Sequence, residues 1–227
     1  MAKKKTAKTP KQTIQVDIVS DIVCPWCWLG VRYFQKAANQ SKHDVKLTWR
    51  PYMLDPETPE DGVPYKQYMK AKFGDGPTNR FKAMREALEA QGPDVGIDFK
   101  FSEIPMRPNT LNAHRLLKWA QGQDKGDLAS DALFRAFFTE LKDVGDHAIL
   151  KEIAEEIGMD AELVAELLDK DDDKNAVREE IMYFRNLGVN GVPTFIYNGQ
   201  FAVQGAQPAE EHLKAMEQAA KLPQDTN

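Results

Sequence analysis

The only two cysteines of this chain, Cys24 and Cys27, enclose Pro25 and Trp26 and sit where one periodicity gives way to another. Before them, Ile14, Val16 and Ile18 alternate with Gln15 and Asp17, the pattern of a half-buried strand. After them, Cys27, Val31, Phe34 and Ala38 recur at helical spacing and form one apolar face. Pro25 suits the first helical position, where its missing N–H has no partner to lose. Val45, Leu47 and Trp49 then alternate again. Strand, cysteine pair, helix and strand thus follow within about 40 residues, a unit that normally means parallel strands joined by a right-handed crossover.

The other end of the chain supplies a second unit. Val177, Ile181 and Phe184 make a helical stripe that stops at Gly188, a glycine suited to a C-terminal cap. Two short strand-like runs, PTFIY and QFAV, follow around Asn198-Gly199, a strong signal for a tight antiparallel hairpin. Pro208 then opens a last helix with Ala209, Leu213, Met216 and Ala220 on one face.

Between these units the pattern is helical, with candidate helices over 64–73, 77–90, 109–120, 127–142, 146–157 and 160–169. Stripes such as Phe134, Phe137, Phe138 and Leu141 read as core. The alternating run Ile97, Phe99, Phe101 predicts an extended segment, and the acidic run at 169–174 a solvated helix end. The organisation expected is a basic disordered tail over 1–12, an α/β part over 13–54, a helical insertion over 55–174, a closing α-β-β-α part over 175–222 and a short tail over 223–227.

Charge narrows the partners. Five of the 30 basic residues lie in the first eleven positions, leaving 25 against 35 acidic residues in the body of the chain. Phosphate backbones call for clustered Lys and Arg, so a nucleic-acid partner is not expected. No apolar run approaches the roughly 20 residues that span a bilayer, so neither is a membrane partner. The tail lacks the apolar stretch of a secretory signal, and the expected location is cytoplasmic. Static disulfides are rare there, which makes the cysteine pair a candidate for catalysis or metal binding.

Thiol–disulfide exchange needs one thiolate that attacks and a second thiol near enough to resolve the mixed disulfide. Two intervening residues in a first helical turn bring both sulfurs within reach. The unpaired N–H groups at the start of a helix favour an anion at the first of them. On this reading Cys24 attacks and Cys27 resolves. A structural zinc site would need four ligands, and His43, His114, His147 and His212 are scattered along the chain, so no metal is expected. Two inert buried cysteines are the remaining alternative.

The motifs SDIVCPWCWLG, PNTLNAHRLLKWA, GVNGVPTFIYNG and AVQGAQ, in that order, resemble the thioredoxin superfamily. Within it they are similar to the DsbA-like branch and its FrnE-type members, relatives of the 2-hydroxychromene-2-carboxylate isomerases. The resemblance runs from about Ile14 to Met216 and implies a thioredoxin fold with a large helical insertion, an α/β class. It implies that Cys24 and Cys27 are the redox pair and that Pro193 is a cis-proline facing them. It further implies that the backbone of Val192 pairs with an extended substrate. Pro25 and Trp26 join the substrate-contact candidates, Trp26 with its ring turned outward. Asn109 and His114 join them from the helical insertion, against the plainer roles of helix cap and core histidine. The pattern assigns no role to Asp21 or Trp28.

Two departures qualify the resemblance. Strongly oxidising DsbA enzymes carry His between the cysteines where this chain has Trp26, so a weaker oxidant is expected. The isomerase relatives use Ser at the position of Cys24, which argues against their chemistry as the main activity. The expected function is thiol–disulfide exchange with protein thiols, protein disulfides or a small thiol. No dissociable cofactor is required, and glutathione is a plausible co-substrate. The alternatives are a glutathione-dependent isomerase or transferase acting on an aromatic small molecule, and a chaperone that binds without redox turnover.

Overall fold

The computed structural model describes residues 12–74 and 80–223, so the expected tails except residues 12 and 223, and residues 77–79 of the 77–90 helix, lie outside the described residues. The first unit forms as its periodicities require: β1 (Thr13–Ser20), α1 (Pro25–Gln40) and β2 (Asp44–Pro51). The two strands pair in parallel, Ile18 opposite Trp49. The insertion begins with a two-residue strand β3 (Val63–Pro64), α2 (Tyr65–Phe73) and α3 (Arg80–Gln91). It continues with β4 (Met106–Arg107), α4 (Leu111–Gln121), α5 (Gly126–Phe138), α6 (His147–Glu156) and α7 (Ala161–Leu168). The chain closes with α8 (Lys174–Asn186), the hairpin β5 (Thr194–Tyr197) and β6 (Phe201–Gln204), and α9 (Ala209–Ala219).

The main sheet has the order β2-β1-β5-β6, with β5 antiparallel to β1 and β6 antiparallel to β5. Its two faces follow from the strand period of two. Ile14, Val16 and Ile18 share the main core with Phe34 of α1, Met216 of α9 and Phe195 of β5. Val19, on the opposite face, joins Tyr52 and Phe184 of α8. The Asn198-Gly199 signal is a turn with φ of 49° and 68°, and Asn198 Oδ1 accepts from the Gln15 N–H at 2.9 Å. Gly188, at φ 92°, ends α8, and the Val189 N–H returns to the Phe184 carbonyl at 3.1 Å.

The insertion is welded to the first helix by aromatic rings. Trp28, four residues after Cys24, stacks on Phe134 and Phe138 with centroids 6.0 Å away and meets Phe99 edge-on at 5.6 Å. Such pairs add directional energy to ordinary area burial. One expectation is sharpened and one needs correction. Ile97, Phe99 and Phe101 are buried, and the run expected to be extended lies outside both sheets, its two rings packing on each other and on Phe138, with Phe99 also against Trp28. The acidic run is not simply a solvated end. Asp173 accepts from Arg115 Nε at 2.6 Å and Trp119 Nε1 at 2.7 Å, closing α4 against the start of α8.

Candidate active site

β1 ends at Ser20, and the chain turns through Asp21 to Cys24, whose N–H donates to the Asp21 carbonyl at 3.0 Å. Cys24 is the N-cap of α1 with extended backbone, and Pro25 occupies the first turn. Both thiols are free, and both are buried, but they face different surroundings. The Cys24 Sγ donates to the Val192 carbonyl at 3.6 Å. Cys27 has no exposed surface. Burial pushes the Cys27 thiol well above its ordinary value, and the neighbouring Cys24 adds to the rise, against a smaller opposing pull from Ser20 and the Asp21 backbone.

The loop opposite is tightly held. The Val192–Pro193 peptide bond is cis, and Pro193 is buried. Its carbonyl accepts from the Gly205 N–H at 2.8 Å, and Thr194 Oγ1 donates to the Gly191 carbonyl at 2.8 Å. Gly30, two turns into α1, lets this loop approach. A Cβ there would stand 3.0 Å from Pro193 Cγ and 3.2 Å from the Ala206 Cα.

The insertion contributes charge behind the turn. Arg107, 3% exposed, donates through Nη1 to the Val23 carbonyl at 3.1 Å and through Nη2 to Asp55 Oδ2 at 2.7 Å. Asp55 also accepts from Lys72 and from the Tyr68 hydroxyl. Asp21 is buried next to the cysteines. Its Oδ2 accepts from the Leu54 N–H at 2.7 Å, and its Oδ1 faces His114 Nε2 at 3.6 Å, beyond hydrogen-bond range. Burial would raise the Asp21 carboxyl, but the facing His114, Arg107 and the Leu54 N–H outweigh it and hold the group below the usual range.

The structure sorts the expected contact residues. Pro25 and Val192 are half-buried at the rim of the pair, beside Cys24. Trp26 is also half-buried, packing partly against the core with the rest of its surface open. His114 is 2% exposed and its Nε2 lies 2.8 Å from the Tyr52 carbonyl, which places it behind the cysteine turn. Asn109 takes the helix-start role, its Oδ1 accepting from the Leu111 N–H at 3.0 Å and its Nδ2 donating to the Thr58 carbonyl at 2.6 Å, and it also lines a pocket between α4 and α8. Among the described residues, no group of three or more His, Cys, Asp or Glu side chains is arranged to hold a metal. Arg107 and Gly30 were not singled out in the sequence. A lone arginine carries no local signal, and the only trace of Gly30 was a glycine on a helix, which costs stability unless something packs there.

The comparisons with known proteins agree with this arrangement. The model of the DSBA-like thioredoxin domain matches residues 15–217. A Streptomyces coelicolor structure described as a probable DsbA oxidoreductase is 32% identical with a TM-score of 0.85, covering 92% of each chain. The Bacillus subtilis protein YwbO is 28% identical over 92% of this chain and 98% of its own length. The cytosolic disulfide reductase DsbM of Pseudomonas aeruginosa, solved with GSH, shares the fold at a TM-score of 0.65 and 16% identity, over 92% of this chain and all of its own. A strand-to-helix cysteine pair, the loop that faces it and a match across nearly all the described residues together place this chain in the family of DSBA-like thioredoxin domains.

Proposed function

We propose that this chain is a thiol–disulfide oxidoreductase in which Cys24 attacks and Cys27 resolves. The observation that carries the reading is the inequality of the two sulfurs. Cys24 reaches the Val192 loop at the start of a helix, whereas Cys27 is sealed and held protonated by burial. In the reducing direction the Cys24 sulfur bonds to a substrate sulfur while the substrate S–S bond breaks. The leaving sulfur takes the electron pair and then a proton. Cys27 then gives up its proton and attacks Cys24, which closes the Cys24–Cys27 disulfide and frees the second substrate thiol. Two molecules of a small thiol such as glutathione restore the dithiol and leave as their own disulfide. The family match and the oxidoreductase description of the 32% identical relative support the general class. The GSH of the DsbM structure supports glutathione as co-substrate, and we assign the protein to a reducing, cytosolic setting with protein or small-thiol substrates.

The test is a titration against glutathione redox buffers, with thiol trapping to read the pair. A potential nearer thioredoxin's, about -270 mV, than DsbA's, about -120 mV, is expected, since no imidazole lies between the cysteines. Cys27→Ser should accumulate a mixed disulfide at Cys24, and Cys24→Ser should be inactive. If no Cys24–Cys27 disulfide forms across that range, the redox reading is wrong. Full turnover by Cys27→Ser with glutathione would favour the isomerase type of chemistry instead.

A further inference from the structure

A pocket of about 350 Å³ opens between α8, the start of α4 and the segment after β2. Met53, Leu111 and Ile181 form its apolar floor, with Met182 on the rim. Arg178 and Arg185 also line it, and seven residues apart they share one face of α8. The charge of this face is unusual for the chain. Arg32, Arg50, Arg107, Arg115 and Arg135 all pair with carboxylates. Arg178 donates instead to Asn175, and Arg185 donates to the Met53 carbonyl and lies 4.6 Å over the Tyr52 ring. Neither makes an ion pair among the described residues, although acidic residues outnumber basic ones in the chain, 35 to 30. Glu57 is the one carboxylate in the lining, so the two guanidiniums leave the pocket with a positive excess.

A line of touching groups joins this pocket to the reactive sulfur. Arg185 stacks on Tyr52, Tyr52 and Phe184 form the cluster against which Val192 packs, and the Val192 carbonyl meets Cys24 Sγ at 3.6 Å. Apolar surface continues past the pocket at Leu54, which is 36% exposed. A ligand filling only the pocket would leave Leu54 uncovered, whereas an extended chain would seat one side chain and cross it. Resting on the exchange reading above, we infer that this pocket selects the polypeptide substrate, taking an apolar side chain with an acidic neighbour from the segment whose cysteine reacts at Cys24.

The experiment uses short peptides whose single cysteine is blocked as a thiopyridyl mixed disulfide. Attack by Cys24 forms the enzyme–peptide disulfide and expels pyridinethione, which is followed by absorbance. A peptide with Leu-Asp near the cysteine should react about fivefold faster than its Leu-Lys counterpart, the scale set by two exposed ion pairs. Arg178→Glu should invert that ratio, and Arg178→Lys should keep it. Equal rates for the two peptides, with hydroxyethyl disulfide still reduced, would overturn the pocket's role and leave the exchange reading intact. If no disulfide reacts at all, the exchange reading itself fails. Octanoate competing as strongly as the Leu-Asp peptide would overturn the polypeptide as occupant.

Discussion

The thioredoxin part and the helical insertion bury polar groups by opposite means. Around β5 and α9 the buried polar groups are neutral: Tyr197 OH meets His212 Nδ1 at 2.7 Å, between the rings of Phe34 and Phe195. In the insertion they include two arginines as well as the neutral Thr110 and Ser130, and both arginines are paired: Arg107 with Asp55, and Arg115 with Asp173 and the carbonyls of Leu167, Leu168 and Lys170. The two styles meet at Asp21, a carboxylate of the cysteine turn that faces Arg107 and His114 from the insertion. Much of the electrostatics around the cysteine pair therefore comes from residues far away in the chain.

That contrast is open to attack from both sides. The largest effect is expected from pH. Burial lowers His212 to about 4 from an ordinary 6.5, so between those values the unfolded chain binds the extra proton. Stability should be fully present above pH 6.5 and fall as pH drops toward 4, by about 3 kcal/mol, in urea titrations across that window. Asp21, held low when folded, adds loss in the same direction at more acidic pH still. Acid stability that stayed flat to pH 4 would undo the claim of a neutral thioredoxin core.

Removing charge from the insertion should cost less, because Asp55 is partly exposed. Arg107→Ala leaves the Val23 carbonyl without this donor and Asp55 with only Lys72 and Tyr68, and about 2 kcal/mol of stability should go with it. Arg107→Lys should recover only part of this, because one ammonium does not replace a forked guanidinium. Slower exchange in both variants would show that the insertion supports the turn, and unchanged exchange would separate the two. The smallest effect is expected at Gly30→Ala. The new Cβ meets Pro193 Cγ at 3.0 Å, so about 1 kcal/mol of overpacking should appear, with slower mixed-disulfide formation on the displaced loop.

Much of this was legible in one dimension. Period-two and helical stripes are local, so β1, α1, β2, α8 and the Asn198-Gly199 hairpin are readable where they stand. Cys24 and Cys27 carry their chemistry in their spacing. Trp26, His114 and Asn109 were harder, because a residue near a motif and a residue beside the reacting atoms look alike in sequence. His114 meets the Tyr52 carbonyl, 62 positions distant, and Asn109 meets its own helix start and the Thr58 carbonyl, pairings that no local pattern announces. The β3–β4 ribbon was illegible because two-residue strands have no period to detect.

The sequence by itself determined that two thiols would stand at a strand-to-helix junction, since backbone periodicity and proline preference act over a few residues. Only the tertiary structure decided that one sulfur meets the Val192 carbonyl while the other is sealed. It alone decided that Arg107 reaches the residue before Cys24, and that Arg178 and Arg185 of α8 line one pocket without an ion pair among the described residues. Burial and charge contact depend on groups separated by 52 to 168 positions, as the Arg107–Asp55 and Cys24–Val192 pairs illustrate, and no local pattern encodes which of them will meet.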